Sequence, residues 1–347
     1  MTDVGVLQGT DRSLQETFDV ALLDLDGVIY RGGEAIAHAA DALAVAAKAG
    51  MRLAFVTNNA LRPPESVAQR LTDFGVPASV DDVVTSAQAA ARMLSERLEV
   101  GARVLVTGGE GLRRAIEDQG FVPVDGADDD PAAVVQGYDP TLTYERLCEA
   151  ALAIRADRLW VASNLDSTVP AERGLLPGAG SFVALLRNAT DREPLVAGKP
   201  ERTLHEESVR RTAAQRPLVV GDRLDTDIEG AVRAGTPSLL VLTGVVEARD
   251  AMRAAAGTRP SYLGADLRAL HQPAPDVVVD GRQATCGGWC CEAVDGTLRW
   301  SRTDGPGSED GLDGLRAACA LAWSSADAGE QIRDASGERP PGCSELF

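Results

Sequence analysis

The strongest constraint on this chain is a recurrence of short apolar runs that end on polar or small residues and alternate with helix-like stretches. The run DVALLDLD (residues 19–26) leads into an Ala-rich helical stretch, Ile36 to Ala49, stopped by Gly50, and then into RLAFVTN. Together these make a βαβ unit. Further runs end at Thr107 (ARVLVTG), Gln136 (AVVQG), Ser163 (LWVAS), Gly221 (PLVVGD) and Thr243 (LLVLTG), most of them separated by helical segments. Alternation of this kind predicts an α/β fold: a doubly wound parallel sheet with helices on both faces.

At 347 residues the chain exceeds the size at which one core stops growing, so two or three units are expected. Apolar residues make up 44% and aromatics only 4%, so the core rests on Ala, Val and Leu. The formal charge of -18 repels a polyphosphate backbone and argues against nucleic acid as a partner. The start, MTDVGVLQGTDRSLQETFD, lacks a basic region followed by an apolar run, and no stretch is long enough to cross a bilayer. A cytoplasmic protein with six reduced cysteines (Cys148, Cys286, Cys290, Cys291, Cys319, Cys343) is therefore expected, with no membrane partner. CGGWCC contains no CxxC pair, which disfavours a zinc site.

The polar run ends also suggest where one domain interrupts another. Asp24, Thr57, Lys199 and Asp222 look like parts of one site, yet about 140 residues separate the second from the third. The expected division is a discontinuous core (1–82 and 197–269), an inserted α/β cap (83–196) and a small α+β appendage (270–347). The appendage is read from a hairpin in WCCEAVDGTLRW, turning at Asp295-Gly296, and a helix in LDGLRAACALAWSS.

In open parallel sheets, ligands bind beyond the carboxyl ends of the strands, where this sequence places its polar residues. Asp24 ends an apolar run, so its carboxylate is placed to attack phosphorus, while Asp26 is placed as acid and then base. Asp222 and Asp227 in GDRLDTD suit a hard cation, with N-capping of the helix IEGAVRAG as the competing explanation. Magnesium would take Asp24, the Asp26 carbonyl and Asp222 directly, with Asp227 acting through water. Arg223 and Asp225 read as a surface pair. Thr57, Asn58 and Asn59 offer a hydroxyl, two amides and backbone N–H groups as a phosphate cradle, and Lys199 in VAGKP offers an ammonium. A solvated lysine is the alternative for Lys199. VTGGEGLRRAI departs from GxGxxG and has no Walker lysine, so it reads as a tight βα turn, and His38, His205 and His271 read as surface or core residues.

In order, DLDGVIY, TNN, GKP and GDRLDTD resemble the four motifs of the haloacid dehalogenase superfamily, over residues 19 to about 245. The resemblance implies a Rossmann-like core, magnesium, Asp24 as nucleophile, Asp26 as acid/base, and Thr57, Asn58, Asn59 and Lys199 as phosphate binders. The insert is similar to the C2-type cap of the NagD-like and p-nitrophenyl phosphatase branch. Within it, SNLDSTVPAERGLLPGAGS makes Asn164, Asp166 and the loop through Arg173 candidates for substrate selection. The presence of Asp26 disfavours dehalogenase chemistry, and Val169, where some relatives place a histidine, disfavours pyridoxal phosphate. The whole chain looks closest to the actinobacterial glycerol 3-phosphate phosphatases, whose tail has been likened to an acetyltransferase fragment. The expected activity is hydrolysis of a small phosphorylated metabolite, glycerol 3-phosphate first and 2-phosphoglycolate or another sugar or polyol phosphate second. A phosphotransferase and a non-catalytic phosphate-binding regulator stand as the competing classes, and a homo-oligomer stays open.

Overall fold

A computed structural model describes residues 6–171, 173–336, 340 and 343. Contacts divide the chain into two compact units, residues 1–53 with 214–347 and residues 54–213.

The first unit is built on parallel strands in the order Tyr262–Gly264, Ser238–Val241, Pro217–Gly221, Val20–Leu23. Val20–Leu23, Ser238–Val241 and Tyr262–Gly264 are buried at every residue, as strands covered on both faces must be. Residues 277–336 of this unit form a different kind of sheet. Strands Val277–Asp280, Gln283–Cys286, Trp289–Val294 and Thr297–Arg302 run antiparallel in sequence order, and Asp334–Ser336 joins the last in parallel. Burial alternates along Gln283–Cys286, Trp289–Val294 and the first half of Thr297–Arg302, so Ala284, Cys286, Trp289, Cys291, Ala293, Leu298 and Trp300 form the buried set. Helix Asp313–Asp327 packs on this sheet, and Asp295 and Gly296 take φ of 50° and 79°, the left-handed pair that a two-residue hairpin turn requires. The tail shares one buried cluster with Ile228, Leu240, Val246, Met252 and Leu263, residues that surround or lie on the parallel strands.

The second unit begins in strand Arg52–Thr57, which pairs in parallel with Val83–Thr85. It continues into a second, all-parallel sheet in the order Leu195–Val196, Leu159–Ala162, Ala133–Gln136, Arg103–Thr107, Val122–Val124. The Gly108-Gly109 stretch makes the tight βα turn expected of VTGGEGLRRAI, opening helix Glu110–Asp118. A Cβ at Gly111 would meet the Arg62 carbonyl oxygen at 2.5 Å, so backbone approach explains this glycine without a nucleotide.

Candidate active site

Asp24 directly follows strand Val20–Leu23, and its N–H donates to the Val220 carbonyl at 2.8 Å, extending the pairing one residue past the strand. The chain then turns back. Val28, Ile29 and Tyr30 N–H groups all point to the Leu25 carbonyl, and Gly27 N–H donates to the Tyr30 carbonyl. Gly27 has φ of +87°, and a Cβ there would lie 2.3 Å from Asp222 Oδ2. The glycine after the DxD pair therefore serves both the turn and a close approach. Asp26 is exposed on this turn.

Asp222 follows strand Pro217–Gly221 and is fully buried. Its Oδ2 accepts the Val245 N–H at 2.7 Å, and its carbonyl accepts the Val246 N–H. Asp227 lies in the π-helical turn Leu224–Ile228, where its Oδ2 accepts the Arg223 N–H at 3.2 Å. The turn runs directly into helix Glu229–Ala234, so Asp227 closes its own loop instead of capping that helix. Arg223 and Asp225 form the expected exposed pair at 2.8 Å.

Asp24, Asp222 and Asp227 each bring a carboxylate oxygen within 4.8 Å of the others, the one group of three or more candidate metal ligands among the described residues. Three carboxylates so close, two of them buried, repel one another in a medium that screens poorly. A hard divalent cation relieves that repulsion and prefers oxygen donors, so the donor set fits magnesium.

Sequence reasoning assigned no role to the loop after strand Ser238–Val241, although its run was seen to end in Thr-Gly. Thr243 Oγ1 donates to the Gly27 carbonyl at 2.6 Å, Arg31 Nη2 donates to the Thr243 and Gly244 carbonyls, and a Cβ at Gly244 would lie 1.8 Å from Asp222 Oδ2. This loop and Gly27 together enclose the Asp222 carboxylate.

The remaining candidates lie in the second unit. Thr57 Oγ1 accepts the Asn59 N–H, and Asn59 Oδ1 accepts the Leu61 N–H. Asn58 Oδ1 accepts the Lys199 N–H at 2.8 Å, and its Nδ2 donates to the Lys199 carbonyl and Asp166 Oδ1, both at 3.2 Å. The Asn58 carbonyl accepts from Ser86 Oγ and Asn164 Nδ2, and Lys199 Nζ donates to the Val56 carbonyl. The structure thus brings Asn58, Asn164, Asp166 and Lys199 together, while Arg173 is exposed in the turn between strands Thr168–Ala171 and Gly174–Pro177. The Asn58 amide, expected to cradle phosphate, hydrogen-bonds to protein groups through both its oxygen and its nitrogen, whereas for Asn59, among the described residues, only the oxygen is so engaged.

The family described as haloacid dehalogenase-like hydrolase matches residues 21–122, and a second, HAD-hydrolase-like family matches 196–270. D-glycerol 3-phosphate phosphatase of Mycobacterium tuberculosis is 47% identical over 315 residues, 90% of this chain and 88% of that protein. This chain belongs to the haloacid dehalogenase-like hydrolases. A crystal structure of glycerol phosphate phosphatase from M. tuberculosis in complex with magnesium superposes with a TM-score of 0.85 at 45% identity, covering 94% of this hydrolase and 96% of that chain. A thermostable NPPase from Geobacillus stearothermophilus, 34% identical, covers 72% of this hydrolase and 97% of its own chain with a TM-score of 0.66. This haloacid dehalogenase-like hydrolase is a phosphomonoester hydrolase of α/β fold.

Proposed function

We propose that this hydrolase removes the phosphoryl group of glycerol 3-phosphate through a phospho-aspartyl intermediate on Asp24. The observation that carries the mechanism is the carboxylate cluster of Asp24 and Asp222, at the ends of adjacent parallel strands, with Asp227 in the turn that follows, which fits magnesium. The substrate reading is supported by a similarity to the mycobacterial glycerol 3-phosphate phosphatase that extends over nine-tenths of the chain. Asp24, the Asp26 carbonyl and Asp222 would hold magnesium, with Asp227 acting through water, and the ion would supply positive charge against the carboxylates and the phosphoryl oxygens.

An Asp24 carboxylate oxygen bonds to phosphorus as the bond to the glycerol oxygen breaks, and Asp26 donates a proton to that leaving alkoxide. Asp26, now a carboxylate, then takes a proton from water as the water oxygen bonds to phosphorus. The Asp24–phosphorus bond breaks, inorganic phosphate leaves, and both aspartates return to their starting states. Exposure of Asp26 supports this role, since it must meet both the leaving group and water. Lys199, the Thr57 hydroxyl and the Asn58–Asn59 segment balance phosphoryl charge, and Asn164, Asp166 and Arg173 belong to the segment that selects the organic group. Residues 83–196 act as the cap, 1–82 with 197–269 as the catalytic core and 270–347 as the appended tail. A cytoplasmic location accompanies this reading, supported by six free cysteines, and no helix among the described residues is long and apolar enough to cross a membrane.

The test is phosphate release from glycerol 3-phosphate, 2-phosphoglycolate and p-nitrophenyl phosphate, with and without magnesium, for wild type and Asp24→Asn. Wild type is expected to turn over only with magnesium and to show its highest kcat/KM with glycerol 3-phosphate, and Asp24→Asn to show no turnover. Equal rates in the two proteins would overturn the mechanism, and a higher kcat/KM for 2-phosphoglycolate would overturn the substrate.

A further inference from the structure

We infer that Asn58 is a positioning residue for Lys199, and that it ties the lysine to Asp166 of the segment preceding the exposed hairpin. This rests on the reading of Lys199 as a phosphate-binding cation and gives Asn58 a role other than direct contact with phosphate.

A side-chain amide carries an acceptor oxygen and two N–H donors, the same groups as a peptide bond. Asn58 uses them in that way: Oδ1 takes the Lys199 N–H at 2.8 Å while Nδ2 gives to the Lys199 carbonyl at 3.2 Å, a reciprocal pair that fixes the lysine's main chain from both sides. The second Nδ2 hydrogen reaches Asp166 Oδ1 at 3.2 Å. Asn58 itself is held, because its carbonyl accepts from Ser86 Oγ at 2.6 Å and from Asn164 Nδ2 at 2.7 Å. With the side chain 9% exposed, these bonds form where water competes little.

The glycine before the lysine has the same cause. A Cβ at Gly198 would lie 2.6 Å from Asn58 Oδ1 and 2.5 Å from the Ser163 carbonyl oxygen, so only glycine lets the lysine loop come close enough for the amide pair to form. Asn164 Oδ1 in turn accepts the Asp166 N–H, so Asn58, Asn164, Asp166 and Lys199 make one connected set joining three segments far apart in sequence. Aspartate lacks the two donors, and glutamine would carry its amide one methylene further from the backbone.

The experiment is a double-mutant cycle on the full chain with magnesium and p-nitrophenyl phosphate as the probe, comparing wild type, Asn58→Ala, Lys199→Ala and the double variant. Asn58→Ala is expected to lower kcat by roughly 10- to 100-fold, the scale of a misplacement near 1 Å. In the Lys199→Ala background the same change is expected to move kcat by less than about threefold, because its route of action is already gone. Competitive inhibition by inorganic phosphate follows the same pattern, weakened by Asn58→Ala yet no weaker in the double variant than in Lys199→Ala alone. Effects that multiply would overturn the inference, since they would mean that Asn58 acts on phosphate or on the fold independently of the lysine. Should Asn58→Ala melt well below wild type, the cycle is run with Asn58→Ser, and the same two results decide. Wild-type turnover and its loss in Asp24→Asn report on the catalytic reading separately.

Discussion

A methyl group at Gly244 would set a carbon 1.8 Å from Asp222 Oδ2, inside any van der Waals distance, and the atom it meets is a carboxylate already held by the Val245 N–H. Either the 243–245 loop or the carboxylate must move, and both movements change the distances to Asp24 and Asp227. Gly244→Ala is therefore expected to weaken magnesium binding by at least about tenfold in calorimetric titration, the cost of perturbing a ligand's support. An unchanged affinity would show that the loop yields freely. His205, on helix Arg202–Thr212, carries a second prediction. Burial pushes its imidazole down to about 4, from 6.5. The folded state keeps it neutral while the unfolded chain takes up a proton below 6.5, so stability falls as pH drops from about 6.5 to about 4 and this contribution levels off below. The loss is on the order of 2 kcal/mol. Urea unfolding at pH 7 and pH 4.5 should show a smaller loss in His205→Asn than in wild type, and equal losses would refute the assignment.

Helix Asp313–Asp327 shows how one element can be tied to strands of another kind. Arg259, only 5% exposed, donates to both Asp327 carboxylate oxygens at 2.7 and 2.8 Å, to the Trp323 carbonyl and to the Ala254 carbonyl. Trp323 Nε1 donates to the Ala251 carbonyl at 3.0 Å, and Arg316 Nη2 to the Leu263 carbonyl at 2.6 Å. Arg259→Ala leaves two buried carbonyls without this donor, which should cost about 2–3 kcal/mol, whereas Trp323→Phe keeps most of the packing and should cost about 1 kcal/mol. Urea unfolding checks both, and a cost for Arg259→Ala no larger than for Trp323→Phe would show that the guanidinium does not bind the helix to the segment before strand Tyr262–Gly264. The helix and the hairpin before it were legible in the sequence, because apolar periodicity and Asp-Gly are local signals. So were Asp24, Asp222 and Asp227, each announced by the apolar strand or the GD turn before it. The docking contacts were not, since an arginine to a carbonyl 64 positions away leaves no periodic trace. The Asn58 amide pair was hidden for the same reason, being a bond across 141 positions, and Gly244 looked like any glycine after a strand.

At the scale of the whole molecule, a net charge of -18 means that any cation should stabilise the fold somewhat by screening, which would disguise a specific metal effect. The two contributions differ in where they act. Screening acts on charge spread over both compact units, but the carboxylate cluster lies in the first alone, on Asp24, Asp222 and Asp227. A ligand that binds only the folded state adds about 2.7 kcal/mol at 100 times its Kd, against which residual screening is minor once ionic strength is matched. Magnesium compared with sodium chloride at equal ionic strength should therefore raise Tm, and added amide hydrogen-exchange protection should concentrate at residues 20–27 and 217–247. Asp222→Asn should abolish the magnesium-specific part and leave the salt-dependent part intact. Equal Tm shifts from the two salts, or protection spread evenly along the chain, would reduce the acidic cluster to surface electrostatics and remove the support it gives to Asp24 as nucleophile.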